Sequence, residues 1–318
     1  MPVRILSAAD LERLNIHTND VIAAIEKLLV NLPKKTVYSA PKAVMLPPDG
    51  RYMMAALAAA DDPQILAVKT VILNAENSKR GLPTINGVVT LMDSMTGQAI
   101  GLVEGNWVTA VRTAGLSAAA AKRLASANSS HIAFLGTGVQ AQSHLTAFAD
   151  LFPLKKASIF GRGRPNIDAL AARCTTLGLS VEIVDTPDAA MRGADLVVTT
   201  LTRDPARPRF LDASILKPGS FAAVVDLAEP WIQESFAAFD RLVIDDLEQE
   251  ASAHAKLAPP HLVTGDLGQL VRGEIAARTS PTQRTAFVFR GFGIGDLALA
   301  GLAHVKAEAA GVGQVVEL

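Results

Sequence analysis

Residues 131–143, which read HIAFLGTGVQAQS, constrain this chain more than any other stretch. Five mainly apolar residues, His131 to Leu135, have the length of a buried parallel strand, and Gly136-x-Gly138-x-x-Ala141 then opens a segment that can be helical to Asp150. Gly136 permits a sharp turn, Gly138 lets backbone approach a pyrophosphate, and Ala141 lets helix pack on strand. Unpaired N–H groups and the helix dipole favour anions at such a helix start. Such a glycine pair alone is often only a tight turn; between a strand and a helix it predicts a dinucleotide site.

The surrounding pattern sets the fold class. Strands are predicted at 157–160, 181–184, 196–201, 221–225 and 241–244, with helices at 166–177 and 188–192. Alternation of this kind implies a doubly wound parallel sheet of Rossmann type. Upstream, residues 8–32 fit two amphipathic helices, the second capped by Thr18 or Asn19, and short strands fall at 43–46, 52–56, 65–73, 88–92 and 99–104. That region lacks βαβ alternation and is a mixed α+β unit. An alanine-rich helix over 113–127 connects it to the strand at 131. After Asp245 the pattern loosens, leaving a strand at 285–289 and a terminal helix at 296–310. The preceding Gly291-x-Gly293-x-Gly295 has no βαβ unit after it, so a hinge or helix-packing role is expected. The chain is thus α/β, with a Rossmann domain over 113–289 and an α+β domain built from both ends, 1–112 and 290–318.

Several residues could carry chemistry. An acidic residue about 20 positions past the first glycine would hold the ribose hydroxyls of NAD. Here 161–166 reads GRGRPN, without an acid. Arg162 and Arg164 suit a 2′-phosphate and so NADP; a solvated basic turn is the equal alternative, with NAD then held by Asn166 or by backbone groups. Lys69 sits inside the apolar run 65–73, where a lysine must be paired or snorkel. Lys42, Arg51 and Arg112 lie in the same domain, and arginine is suited to a bidentate grip on a carboxylate. Asp226 ends the apolar run 221–225, at the strand edge where open α/β sheets bind ligands; we read it as a site residue, the competing role being a helix N-cap. The six histidines show no metal-ligand spacing, so no metal is expected, and His131 is read as a strand residue. Cys174, the single cysteine, excludes an internal disulfide framework and suits helix packing.

A net charge of −1 without runs of like charge argues against nucleic acid or an anionic membrane as partner. No window reaches the roughly 18 apolar residues of a membrane span, and the first ten residues lack an apolar signal core. A small-molecule ligand and a cytoplasmic location are expected.

Val68-Lys69-Thr70, Asn77, Gly81-Leu82-Pro83-Thr84, Leu91-Met92-Asp93, Thr96-Gly97 and Thr109-Ala110-Val111-Arg112-Thr113-Ala114-x-x-Ser117-Ala118 closely resemble the ornithine cyclodeaminase/μ-crystallin family. Gly136-Thr137-Gly138-Val139-Gln140-Ala141 resembles its nucleotide turn, and Thr285, Phe287, Gly291 and Asp296 fit its C-terminal pattern. The resemblance spans nearly the whole chain. It implies an NAD(P)-dependent oxidoreductase acting on C–N bonds, in which the two-ended domain binds substrate and forms a homodimer. It further implies that Lys69 and Arg112 hold the substrate's α-carboxylate near the nicotinamide, that Lys42 stands where members often carry arginine, and that Asp226 matches the acid/base aspartate. Lys69 and Asp226 are the catalytic candidates. The cofactor candidates are Thr113, Gly136, Thr137, Gly138, Val139, Gln140, Arg162, Arg164, Thr200 and Asp226. Cyclodeaminase-like members carry Asp-x-Pro-Gly-Lys, whereas this chain reads Asp226-Leu227-Ala228-Glu229-Pro230, which weighs against deamination with cyclisation. The expected reaction is hydride transfer from NAD(P)H to an α-imino acid, giving an L-amino acid. Its substrate would be a cyclic imine such as pyrroline-2-carboxylate, or iminosuccinate, whose second carboxylate Lys42 and Arg51 would meet. An ornithine cyclodeaminase and an NADPH-dependent small-ligand binder of μ-crystallin type are the alternatives.

Overall fold

The computed structural model describes residues 1–204 and 206–318. The chain forms two compact units, Met1–Thr113 with Gly291–Leu318, and Ala114–Arg290. These limits differ by one residue from the boundaries drawn on the sequence.

The first unit opens with β1 (Pro2–Leu6), α1 (Ala8–Arg13) and α2 (Thr18–Asn31). Neither Thr18 nor Asn19 caps α2. His17 occupies the cap in an extended conformation, and its N–H donates to the Asp20 carboxylate at 3.2 Å. Next come β2 (Val37–Met45), β3 (Tyr52–Asp61), β4 (Gln64–Leu73), β5 (Ile85–Asp93) and β6 (Ala99–Glu104), each antiparallel to the one before. Lys42 lies in β2, where the pairing is irregular between Ala40 and Ala43. Pro41 is tolerated there because it cannot donate a ladder hydrogen bond and β2 is an edge strand. On β4, Ile65, Ala67, Lys69 and Val71 share the buried face, while Leu66, Val68 and Ile72 share the other.

The helix α3 (Gly105–Leu124) begins well before the expected Thr113. Its cap is Glu104, whose carboxylate accepts from the N–H groups of Asn106 at 2.9 Å and Trp107 at 2.7 Å. The division between the units falls within this helix.

The second unit alternates as the sequence pattern predicts: β7 (His131–Leu135), α4 (Val139–Leu151), β8 (Lys156–Phe160), α5 (Arg164–Thr176), β9 (Ser180–Ile183), α6 (Pro187–Met191) and β10 (Leu196–Thr199). β11 (Phe221–Val224), β12 (Arg241–Ile244), α7 (Leu247–Ser252), β13 (Val263–Asp266), α8 (Leu267–Arg272) and β14 (Thr285–Val288) complete it. All its strands pair in parallel, in the order β13-β12-β14-β11-β10-β7-β8-β9. The chain moves one way from β7 through β8 to β9 and returns to the other side of β7 for β10, so the topological switch lies between β7 and β10. Cys174 is buried on α5, and burial pushes its thiol up to about 11. His131 bonds Ser158 Oγ through Nε2 at 2.8 Å, the packing role expected of a strand residue.

The chain then completes the first unit with α9 (Gly293–Ala310) and β15 (Gln314–Glu317). The sheet of that unit runs β15-β1-β6-β5-β4-β3-β2, with α9 packed on β3 and β4. A Cβ at Gly293 would stand 2.8 Å from the carbonyl oxygen of Leu57, so this glycine serves close helix–sheet packing. Among the described residues, no helix is long and apolar enough to cross a membrane. Nor do any of their His, Cys, Asp and Glu side chains group to hold a metal ion.

Candidate active site

In the first unit, β4 carries Lys69 into the apolar layer beneath α9, where it is fully buried. Its ammonium donates to Asp296 Oδ1 at 2.6 Å. Arg112, on α3, brings Nε within 2.9 Å of the same oxygen. Asp296 stands in the first turn of α9, where the helix dipole adds to the attraction for negative charge. Burial alone would raise the Asp296 carboxyl, but Lys69 and Arg112, with Lys42 adding its charge, hold it below the usual carboxylate range. Lys69 moves the other way: burial and the neighbouring Arg112 charge pull it down to about 8, against the opposing pull of Asp296. Removing one member of a buried pair typically costs about 3–5 kcal/mol. Three cations therefore act on one carboxylate, leaving positive charge to receive a second.

Gly291 adjusts this cluster. Its φ is +76°, and a Cβ there would lie 2.2 Å from Arg112 Nη1. The guanidinium thus occupies space that any side chain at 291 would take. The glycine cluster read as a hinge or packing element serves packing at Gly293 and leaves room for the Arg112 guanidinium at Gly291.

In the second unit, the switch point carries the features of a nucleotide cradle. Gly136 leaves β7 with φ +100°, and a Cβ there would meet the Thr200 carbonyl oxygen at 2.6 Å. The Thr200 N–H in turn donates to the Leu135 carbonyl at 2.8 Å, joining the carboxyl ends of β7 and β10. Gly138 is the N-cap of α4, has no side-chain cap, and has nothing within 4 Å of where its Cβ would be. Val139 follows with 68% of its surface exposed, and the buried Oγ1 of Thr200 has no hydrogen-bond partner. An open helix start, an uncovered valine and an orphaned hydroxyl fit a bound dinucleotide.

Asp226 follows β11 at the same edge. Its Oδ1 accepts from Thr199 Oγ1 at 3.1 Å and its Oδ2 from the Leu201 N–H at 3.3 Å. Trp231 Nε1–H donates to Thr199 Oγ1 at 3.2 Å, which fixes that hydroxyl as a donor to the carboxylate. Burial pushes the carboxyl up to about 7, against those two hydrogen bonds, and Glu229 adds to the rise. Leu227 and Ala228 both take left-handed backbone, φ 58° and 54°, closing a turn in which the Glu229 N–H donates to the Asp226 carbonyl at 3.2 Å. Such residues carry strain of order 1 kcal/mol each. Burial of Ala228 and packing of Leu227 in the core of this unit offset it. Leu201, Thr202, Arg203, Asp226, Glu229 and Pro230 line a cleft here.

The profile of the ornithine cyclodeaminase/mu-crystallin family matches residues 3–311. The chain belongs to that family. It is 29% identical over 267 residues to a Δ1-pyrroline-2-carboxylate reductase of Bacillus cereus, covering 80% of this chain and 81% of the relative. It is 29% identical over 259 residues to the ketimine reductase mu-crystallin of Mus musculus, covering 79% of each. The solved structure of Thermococcus litoralis Δ1-pyrroline-2-carboxylate reductase, in complex with NADH and L-proline, matches with a TM-score of 0.87 at 25% identity, covering 98% of this chain and 99% of that one.

For a member of this family, the structure brings some expected site residues together and separates others. Lys69, Arg112 and Lys42 act on one carboxylate. Arg51 instead lies on the turn before β3 and pairs with Asp49 at 2.7 Å. Gly136, Thr137, Gly138, Val139, Gln140 and Thr200 lie at the switch point of the second unit. Arg162 is exposed in the loop after β8, whereas Arg164, already in α5, pairs with Asp168 at 2.9 Å one turn on. Thr113 donates its hydroxyl within α3 to the Thr109 carbonyl at 2.5 Å.

Two residues were missed by sequence reasoning. Asp296 matched a family pattern without a role; the signal was a lone acid in an otherwise apolar helix start, facing a lysine that required a partner. His144 gave no signal. Its Nδ1 donates to the Gln140 carbonyl at 2.7 Å and its Nε2 accepts from Ser117 Oγ at 2.9 Å, tying the first turn of α4 to α3. Burial pulls it down to about 4, so the ring is neutral at physiological pH and this bonding pattern holds.

Proposed function

We propose that this chain reduces an α-imino acid to the L-amino acid at the expense of NAD(P)H, with a cyclic imine of the pyrroline-2-carboxylate class as the first substrate. The observation that carries the reading is the pair of buried cations, Lys69 and Arg112, converging on Asp296 Oδ1 with charge left over for an incoming carboxylate. The names of the Bacillus and Thermococcus relatives, and the NADH and L-proline bound in the latter's structure, support the choice of imine.

When bound, the reduced nicotinamide supplies hydride for the imine carbon. Lys69 and Arg112 bind the α-carboxylate and fix the orientation of the imine, and cations already in position stabilise charge without reorganising. Asp226, protonated below about pH 7, holds a proton on a carboxylate braced by Thr199 and Leu201, and it serves the substrate nitrogen. Hydride to carbon and proton to nitrogen complete the conversion of C=N to CH–NH. The Lys42 charge on Asp296 favours a second reading, reduction of iminosuccinate, whose extra carboxylate it would attract.

The same proposal takes the protein to be a cytoplasmic homodimer. The dimer is supported by the outer face of the first unit's sheet, where Leu57, Leu66, Val68, Ile72 and Met92 are apolar although that face is not buried within the chain.

The test is loss of reduced-nicotinamide absorbance with Δ1-pyrroline-2-carboxylate, and separately with oxaloacetate plus ammonium, using NADH and NADPH in turn. Consumption with the cyclic imine is expected. Ammonia released from ornithine with no net cofactor change, and no consumption with either imine, would instead identify a cyclodeaminase.

A further inference from the structure

Lys69 and Arg112 arrive on different elements, β4 and α3. What they share is one oxygen of a residue far along the chain, 227 positions from Lys69. We infer that Asp296 is the positioning residue of the carboxylate grip, its Oδ1 fixing the Lys69 ammonium and the Arg112 guanidinium side by side. The inference rests on the reading of Lys69 and Arg112 as carboxylate ligands and assigns a residue to that grip.

The charged groups acting on this point are Lys42 from β2, Lys69 from β4, Arg112 from α3 and Asp296 from α9. Without the aspartate, like charges would face each other in a buried layer. A guanidinium is effectively always charged in proteins, so the strain would fall on the lysine. Burial and Arg112 already bring Lys69 down to about 8 with Asp296 in place. Asp296 opposes that fall, so its loss carries the lysine toward neutrality at lower pH. The ammonium is the form that binds a carboxylate. Affinity is therefore full below the lysine's pKa and falls as pH rises through it. The second oxygen of Asp296, buried and without a hydrogen-bond partner, marks this carboxylate as one that serves the cations through a single atom.

The experiment measures binding of pyrrole-2-carboxylate, a planar mimic with no reducible C=N, to the cofactor-free protein by calorimetry across the range from about pH 6 to about pH 9. The wild type is expected to bind evenly until about pH 8 and then weaken. Asp296→Asn shifts that limb to lower pH, with roughly tenfold weaker binding near pH 8 for each pH unit of displacement. Near pH 6, where its cations are charged, a smaller and constant loss remains, because nothing then fixes them side by side. A limb at the wild-type position, or wild-type affinity near pH 6, overturns the inference. If Asp296→Asn does not fold, Asp296→Glu replaces it: weaker binding throughout with an unmoved limb is expected, and unchanged affinity overturns the role. Lys69→Ala and Arg112→Ala are measured alongside. If both bind as the wild type does, the carboxylate site itself lies elsewhere and the functional reading fails, an outcome separate from any result at Asp296.

Discussion

Alanine at position 291 would disturb the grip without touching any charged residue. Gly291 has φ +76°, a conformation that costs an L-residue about 1–2 kcal/mol, and its added Cβ would lie 2.2 Å from Arg112 Nη1 and 3.0 Å from Cζ. Ordinary contact begins near ~3.5 Å, so the guanidinium must retreat by about 1 Å or more. That displacement breaks the 2.9 Å approach of Arg112 Nε to Asp296 Oδ1. Stretching this buried ion pair from 2.9 Å to about 4 Å weakens its attraction by roughly 1.5 kcal/mol at an effective dielectric of about 20, which corresponds to roughly tenfold in affinity for the substrate carboxylate. The strain needs its own control, and Gly311 provides it: φ is +63° there, with nothing within 4 Å of a Cβ. Both Gly291→Ala and Gly311→Ala should melt a few degrees below the wild type. Only Gly291→Ala should raise KM for the imine by that factor, with cofactor affinity unchanged in both. Steady-state kinetics with thermal melts decide it; a wild-type KM in Gly291→Ala refutes the claim that the glycine makes room for Arg112.

Three further outcomes are expected. Asp226 has its carboxyl raised to about 7, so wild-type kcat/KM should fall as pH rises through that value, whereas Asp226→Asn should be slow and flat across it. By the same sign, this group's share of stability is full below its ordinary 3.8 and lost as pH rises through about 7, so Asp226→Asn should gain in melting temperature over the wild type above neutrality. Arg162→Ala should weaken NADPH far more than NADH in fluorescence titration, and equal losses would show that this exposed arginine does not meet a 2′-phosphate. Val68→Asp, on the outer face of β4, should halve the mass seen by light scattering without unfolding the chain; an unchanged mass would place any dimer contact elsewhere.

The second unit was legible in the sequence because its central strands β7, β10, β11 and β14 are apolar and buried almost throughout. The segment around Gly136 and Gly138 showed both the fold and the nucleotide cradle. The strands β1, β13 and β15 were not anticipated. β1 and β15 pair with each other from opposite ends of the chain, Val3 with Val316, and no local pattern announces a partner so distant. α3 started early because a glutamate caps it, a role for which serine, threonine, asparagine and aspartate are the usual signals. The cation cluster was half legible. An embedded Lys69 demanded a counter-charge, but only the fold identifies it as Asp296. Arg51 drew attention by its sequence neighbourhood, where a local carboxylate, Asp49, proved to be its partner.

The first unit is assembled from two stretches of chain with the whole of the second between them. During synthesis from the N-terminus, β4 emerges with Lys69 long before α9 exists. Until Asp296 leaves the ribosome, 227 residues later, the lysine has no carboxylate to meet and the sheet has no helix over its apolar face. The uninterrupted unit has all its contacts in hand first. Closing so long a loop is entropically slow, so the half that holds Lys69, Arg112 and Asp296 must ripen last. A nascent chain of this protein would therefore acquire the half with the glycine-rich cradle before the half with the cation cluster.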